Sequence, residues 1–322
     1  MPDGSIHSMA KKVLITGVAG FIGSNLADRL LEAGFEVVGI DDLSYGLVEQ
    51  VSPHVALHRF DIRSPEIERY FKGVDTVFHL AAKNCISDCQ RDPVQTTSIN
   101  VFGSVNVFNA ACRAGVRKVI FAESSAVYEG ATIFPTPENA EDPHSFYAVS
   151  KLATHLFAKS YREFYNLTFT ALRYFNVYGP RQDFRRTDRP IMTEFILQLF
   201  TGIRPILYAG GKRTKDYIYV DDINDFHLRA IEDSRTDNQT YNLGTGKETS
   251  FAEVLNLTQK LLGTNLEPEL QPALSGGVTR TLADITKATA LGWRPKTTLD
   301  EGLQKSILYI QEYVLPKLEK KL

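Results

Sequence analysis

An apolar strand that runs directly into three closely spaced glycines constrains this chain more than any other feature. Lys11-Lys-Val-Leu-Ile-Thr16 reads as a buried strand, Gly17-Val-Ala-Gly20-Phe-Ile-Gly23 follows it, and Ser24 to Ala33 has helical periodicity. Glycines at 17, 20 and 23 permit a tight turn, a close backbone approach and tight helix-on-strand packing. They also leave the first helical N–H groups free to hold a pyrophosphate. The spacing differs from G-x-G-x-x-G by one residue. A second apolar strand, Phe35-Glu-Val-Val-Gly-Ile40, ends in Asp41-Asp42. Asp41 lies roughly 20 residues past the glycines, where a ribose-binding carboxylate belongs.

Strand-like and helical runs then alternate. The candidate strands are Val13 to Thr16, Glu36 to Ile40, Val55 to Phe60, Thr76 to Leu80, Lys118 to Ala122 and Thr168 to Leu172. Near-continuous apolar strands separated by helices predict an α/β fold with a doubly wound parallel sheet, covered on both faces, whose ligands bind beyond the carboxyl ends of the strands. After Pro180 the alternation breaks down. Proline, glycine and charge punctuate Arg181 to Pro190, Gly202 to Lys215 and Gly263 to Gly277, as expected of a second, smaller α+β lobe.

Within Ser145-Phe-Tyr-Ala-Val-Ser-Lys151, Tyr147 and Lys151 sit one helical turn apart on the same face. A free tyrosine has a pKa of about 10, and a cation within about 4–6 Å favours its ionised form. Such a tyrosine is equipped to act as a base near neutral pH.

With the glycines, the acid, Tyr147 and Lys151 in this order, the chain resembles the extended short-chain dehydrogenase/reductase family, specifically its NAD-dependent nucleotide-sugar epimerase/dehydratase branch, of UDP-hexose 4-epimerase type. The resemblance runs nearly end to end. It is carried further by Asp61-Ile62, His79-Leu-Ala-Ala82, Asn100, Ser124-Ser-Ala-Val-Tyr128, Arg173-Tyr-Phe-Asn-Val-Tyr-Gly-Pro180, Asp216-Tyr-Ile-Tyr-Val-Asp-Asp222, Asn242-Leu-Gly-Thr-Gly246 and Leu291-Gly-Trp-Arg-Pro295. It implies a Rossmann domain over 9–175 that holds NAD, to which a segment near 216–244 returns, and a substrate-binding lobe over 176–322.

The resemblance also implies roles for individual residues. NAD is expected along Gly17, Gly20, Phe21, Ile22 and Gly23, with Asp41 and Asp42 at the ribose and Asp61 and Ile62 at the adenine. Leu80, Ala81, Ala82, Lys83 and Asn100 follow the cofactor's path, and Phe175 meets the nicotinamide. Tyr147 is the expected base, Lys151 depresses its pKa and reaches the cofactor ribose, and Ser124 shares the hydrogen bond to the reacting oxygen. Ser125, Asn176, Lys215, Tyr217 and Arg280 are the expected substrate contacts. Read from its residue type alone, Asn100 equally fits a side chain that pins a helix, and Phe175 a core aromatic.

The stretch after Ser124 bears on the reaction. In the resembling family, dehydratases carry an Asp-Glu pair there and decarboxylases a glutamate, but this chain has Ser125 and Ala126. Oxidation at C4, rotation of the ketone and hydride return to the other face, that is 4-epimerization, is the expected course. The sugar is expected to be a UDP-hexose, UDP-N-acetylhexosamine or UDP-hexuronate. The alternatives are a dehydratase or a 3- or 5-epimerase using the same 4-keto intermediate, and a non-catalytic NAD-binding sensor.

Several residues depart from the family pattern. Glu123, Glu129, Cys85, Asp88 and Cys89 are expected to be solvated loop residues; the alternative is that Glu129 or Asp88 acts on C5 or C6, and solvent label at those carbons would implicate Glu129, Glu123, Asp88 or Cys85. Lys215 and Leu274 stand where two diphosphate-binding arginines are usual, with Gly277 at an acid's place, which leaves Arg280, Lys212 and Arg213 as substitutes. A lysine lacks the bidentate fork of arginine.

The 322 residues, 43% hydrophobic, allow a large core, and a net charge of −2 without a basic tract favours a small-molecule substrate over nucleic acid. Three cysteines form no disulfide framework, which fits a reducing cytoplasm, and Cys85 and Cys89 lack the partners for a zinc site. No signal peptide or membrane-spanning run is read. Residues 1–8 are expected to lie outside the fold, with Met9 as a natural start. The family resemblance implies a homodimer formed by the helix after Asn100 and the helix carrying Tyr147. Val101, Val105 and Phe108 fit an apolar stripe there, as they would on a core helix.

Overall fold

The computed structural model describes residues 11–273 and 278–319. Residues 1–8, Met9, Leu274 and Gly277 lie outside the described residues.

The apolar runs form the strands β1 (Lys12–Thr16), β2 (Glu36–Asp41), β3 (Ala56–Arg59), β4 (Thr76–His79), β5 (Lys118–Ser124) and β6 (Phe169–Tyr174). A further strand, Gln239–Leu243, pairs parallel with β6 and completes a seven-stranded sheet. From that edge the order is Gln239–Leu243, β6, β5, β4, β1, β2, β3, with every neighbouring pair parallel. β5 and β6 run past their expected ends at Ala122 and Leu172 because Glu123 and Arg173, charged side chains on adjacent strands, are paired inside the protein.

Successive strand side chains face opposite ways, so the sheet separates two cores. Val13 and Ile15 of β1 join Leu26, Leu30, Phe226 and Trp293 on one face. Leu14 joins Ile40, Phe71, Phe108, Phe121 and Phe169 on the other. Helices α1 (Phe21–Glu32) and Val220–Glu232 pack together on the first face, while helices Ser104–Ala114 and Phe146–Tyr165 cover the second. Because the strand order reverses between β1 and β4, a crevice opens there at the carboxyl ends of the strands.

The smaller lobe combines helices Ile191–Phe200, Phe251–Leu262 and Leu299–Tyr309 with three two-stranded ribbons. Its own core holds Met192, Phe195, Leu255, Leu303 and Val314, and Val177 packs against both this core and the first one. Reciprocal capping boxes, Ser250 with Glu253 and Thr298 with Glu301, begin the last two of these helices. Among the described residues no helix is long and apolar enough to cross a membrane.

Candidate active site

The crevice is built first from absent side chains. Gly17 has φ +75°, and a Cβ on it would meet the backbone N of Ala81 at 2.7 Å, so β1 and the segment after β4 approach closely only because this residue is glycine. Helix α1 starts immediately after Gly20, with no side-chain cap and no acid in its first turn, so its N-terminal N–H groups and partial positive charge remain available to an anion. At the end of β2, Asp41 accepts the Ala19 N–H at 2.9 Å and the Leu43 N–H at 2.8 Å. Burial raises its carboxyl above the ordinary range, against the pull of these N–H groups.

A cavity of about 330 Å³ occupies the crevice. It is lined at the α1 end by Gly17, Gly20, Phe21, Ile22 and Gly23, and along β2 and β3 by Asp41, Asp42, Asp61 and Ile62. Leu80, Ala81, Ala82 and Lys83 form its middle, and Ser124, Tyr147, Lys151 and Phe175 its far end. Asn100 is not among the lining residues. It sits on a π-helical turn, Ser98–Gly103, where its Oδ1 accepts the Lys83 N–H at 2.8 Å and its Nδ2 donates to the Lys83 carbonyl at 2.9 Å. Its action on the cavity therefore runs through the backbone it pins. Asp61 is held by Arg63, whose Nη2 lies 2.5 Å away and keeps the carboxyl below its ordinary value.

The far end joins two elements. Ser124 closes β5, and its Oγ accepts the Ala126 N–H at 3.2 Å. Ser145 caps helix Phe146–Tyr165 through Ala148 N–H, at 3.1 Å, which places Tyr147 and Lys151 one turn apart facing the cavity. Lys151 Nζ donates to the Ala122 carbonyl at 3.0 Å and stands 6.0 Å from the Tyr147 ring centroid. Burial pushes the Tyr147 phenol up to about 12, the Ser124 hydroxyl is the main opposing influence, and the Lys151 ammonium is turned to the strand. Burial likewise lowers the Lys151 ammonium to about 8, against the charge of Glu123.

Two of the departing acids are structural. Glu123 is fully buried rather than solvated, 2.6 Å from Arg173 Nε and 2.5 Å from His155 Nδ1. Glu129 accepts the His144 N–H at 3.0 Å, the Ser145 N–H at 2.6 Å and the Ser145 hydroxyl at 2.7 Å, which steadies the start of the Tyr147 helix. Asp88 pairs with Arg91 at 2.9 Å. Cys85 and Cys89 are buried rather than solvated: Cys89 donates to the Lys83 carbonyl, and Cys85 lies beside Ser87.

The expected substrate contacts fall outside the cavity lining. Asn176 Nδ2 donates to Thr281 Oγ1 at 2.9 Å and to the Asp216 carbonyl at 3.1 Å. Lys215 donates to the Val278 carbonyl at 2.9 Å, and burial lowers its ammonium to about 8. Tyr217 is buried in the core of the smaller lobe, and its phenol is raised by burial. Arg280 is occupied twice over, paired with Glu248 at 2.8 Å and stacked 4.6 Å from the Phe134 ring centroid. Ser125 begins the 3₁₀ turn Ser125–Tyr128 beside the far end. Asp216 gathers the surrounding motifs, accepting from Thr245 N and Oγ1 at 2.7 Å and from Ala283 N at 3.0 Å.

Sequence reasoning missed two groups. Gln182, Asp183 and Arg186 also line the cavity, and the charged punctuation of Arg181 to Pro190 was the signal for them. A buried thread also runs from Thr16 Oγ1 to His79 Nδ1 at 2.7 Å and from His79 Nε2 to Ser104 Oγ at 2.8 Å, with burial depressing the imidazole to about 3. No sequence pattern announces it.

Fold and site together define a dinucleotide-binding α/β protein with a serine, a tyrosine and a lysine at the end of its cofactor crevice. The chain belongs to the NAD dependent epimerase/dehydratase family, whose sequence model matches residues 13–244. It is 35% identical to a UDP-glucose 4-epimerase of Mycolicibacterium smegmatis, over 93% of this chain and 98% of that one. Among solved structures it is similar to the UDP-glucose 4-epimerase of Thermotoga maritima in complex with UDP-glucose, with a TM-score of 0.90, 35% identity and coverage of 94% of this chain and 99% of that one. It is also similar to the UDP-glucuronic acid 4-epimerase of Bacillus cereus bound to UDP-glucuronic acid and NAD, with a TM-score of 0.86, 27% identity and coverage of 94% and 99%.

Proposed function

We propose that this protein is a nucleotide-sugar 4-epimerase that works with NAD on a UDP-hexose, a UDP-N-acetylhexosamine or a UDP-hexuronate. One observation carries the reading: Ser124, Tyr147, Lys151 and Phe175 line the same end of a crevice whose other end offers glycines and the uncapped N-terminus of α1. NAD fits this crevice, because a Cβ at Gly17 would fill the backbone approach and Asp41 stands at the end of β2 for the ribose diol. When bound, NAD supplies the hydride acceptor and donor for C4 of the sugar.

The chain's own residues manage the proton. Tyr147 takes it from the O4 hydroxyl as the carbinol is oxidised and gives it back to the alkoxide on return, while Ser124 shares the hydrogen bond to that oxygen. A phenol raised by burial is a strong acceptor once ionised, and the Ser124 hydroxyl works against that rise. Lys151, 6.0 Å from the ring centroid, would add with the positive nicotinamide of bound NAD the charge that favours ionisation. Ser125 and Ala126 offer no carboxyl for elimination, and the capping of Ser145 by Glu129 and the burial of Glu123 remove the two nearest acids from that role.

The working form is a homodimer in the cytoplasm. Phe102, Val149, Leu156, Phe157 and Phe164 expose apolar surface on the π-helical turn and on the Tyr147 helix, whereas Phe108 is buried against Phe121 and serves the core. Cysteines without disulfide partners suit a reducing compartment. The reaction is tested by incubating the protein and NAD with UDP-glucose, UDP-N-acetylglucosamine and UDP-glucuronate separately and reading the products by NMR. The C4 epimer of one of them is the expected product, and a 4-keto-6-deoxy sugar would replace the reading with dehydration.

A further inference from the structure

Glu123 is a buried carboxylate that the reaction above leaves unused. It immediately precedes Ser124 on β5, its side chain has no exposure, and it bridges two elements at once: Arg173 of β6 at 2.6 Å and His155 of the Tyr147 helix at 2.5 Å. His155 lies one turn beyond Lys151 on the same helix face. Arg173 carries the tie outward, donating to the Tyr128 hydroxyl and to Glu141, both at 2.8 Å. One carboxylate thus anchors the strand that ends in Ser124 to the helix that carries Tyr147 and Lys151. A buried carboxylate with this much desolvation to overcome is an expensive way to hold two elements together, since apolar packing would serve.

We propose that Glu123 is a positioning residue for Lys151: its buried charge holds the ammonium in its charged form against the Ala122 carbonyl, and its contact with His155 fixes the helix that presents it. Lys151 Nζ has a neutral carbonyl as its hydrogen-bond partner, so its compensation must come through space. The titratable groups around it are Glu123 from β5, Cys89 from helix Ile86–Arg91, His79 from β4 and Tyr147 on its own helix. Burial keeps three of them neutral near pH 7: it depresses His79 to about 3, raises Tyr147 to about 12 and raises the Cys89 thiol. Against the cost of burial, Arg173 and His155 hold Glu123 ionised, below its ordinary value. Glu123 is then the anion in that set.

The test has two arms, and only the second rests on the epimerase reading. In the first, the protein is labelled with ¹³Cε-lysine, the Lys151 resonance is assigned by its loss in Lys151→Arg, and its titration is compared with that in Glu123→Gln. The expected midpoint falls by about one pH unit or more on removing the charge, and coincident midpoints overturn the proposal. If Glu123→Gln alone does not fold, Glu123→Gln with Arg173→Gln is compared with Arg173→Gln alone, so that the two proteins differ only in the Glu123 charge, and the same outcomes apply. In the second arm, kcat and KM are followed against pH with the UDP-sugar that is turned over. The alkaline limb of kcat is expected to move down by the same interval, giving up to about a tenfold loss at a given alkaline pH, with KM changed less than about twofold because the carboxylate lies behind the site. A uniform loss at every pH overturns the proposal. Wild-type protein inert toward every UDP-sugar would sink the epimerase reading alone, and the lysine titration would still decide the role of Glu123.

Discussion

Lys151 donates to the carbonyl of Ala122 at 3.0 Å, and this bond joins the Glu123–His155 contact in tying the helix carrying Tyr147 to the strand carrying Ser124. The lysine therefore has a mechanical function as well as an electrical one. Its removal loosens the joint at which the proposed hydroxyl pair is held, so a loss of activity in a Lys151 variant reports both effects together.

Cofactor preference should follow Asp41. Its carboxylate, fixed by two backbone N–H groups at the end of β2, suits a ribose diol and repels a 2′-phosphate. NAD is expected to bind at least about tenfold more tightly than NADP, a difference of about 1.4 kcal/mol, and Asp41→Ala is expected to narrow the gap. Calorimetric titration of both cofactors checks this, and tighter NADP binding by the unaltered protein would refute it.

Tyr147→Phe keeps the ring and removes the proton carrier. Turnover should slow by roughly 10²–10⁴-fold, while NAD affinity and the melting temperature stay close to those of the parent. Nearly unchanged turnover would show that another group moves the proton.

Isotopes distinguish the reaction at C4 from one that involves C5 or C6. With a C4-deuterated substrate the label should remain on C4 of both epimers, and a reaction run in heavy water should leave C5 and C6 free of solvent deuterium. Label at either carbon would point to Asp88 or Cys85, since Glu123 and Glu129 are committed to holding the helix and strand in place.

Charges placed on the exposed apolar face should prevent pairing. Leu156→Glu with Phe157→Glu is expected to convert a dimer to a monomer in light scattering, because each change would bury an unpaired carboxylate at the interface. A parent protein that is already monomeric would contradict the assignment of that face.

Acid should weaken the fold through His79 and His227. Each has an ordinary value of 6.5 that burial depresses to about 3. The unfolded chain takes up these protons near pH 6.5 and the folded chain does not, so the stabilisation is complete above that pH and is lost as pH falls toward 3. Urea midpoints should decline between about pH 6.5 and pH 4.5, and His79→Gln should flatten the decline. A midpoint independent of pH across that window would rule out this coupling.

The strands that build the cofactor crevice were legible because an interior strand of a parallel sheet must be apolar on both faces, and β1, β2 and β4 announce themselves that way. Gln239–Leu243 was harder to read, since Gln-Thr-Tyr-Asn-Leu mixes polar and apolar residues on an edge strand. Glu123 was misread for a physical reason: an acid is ordinarily exposed, and the partners that make its burial tolerable, His155 and Arg173, are remote in sequence. Asn100 was legible as a residue of consequence, though residue type alone could not separate contact with the cofactor from pinning the backbone of Lys83. The occupied state of Arg280 was equally hidden, because Glu248 and Phe134 reach it from separate loops.

The strand Gln239–Leu243 also sets an order of events during synthesis. β6 ends at Tyr174 and is buried along its whole length, yet the strand that covers its free edge and the helix Val220–Glu232 that covers one face are made only afterwards. At translation rates of about 5–20 residues per second, the ribosome leaves that edge uncovered for several seconds. A nascent chain in this interval presents an open, apolar β-edge, and the protein's yield in a cell should depend on what shields that edge until residue 243 emerges.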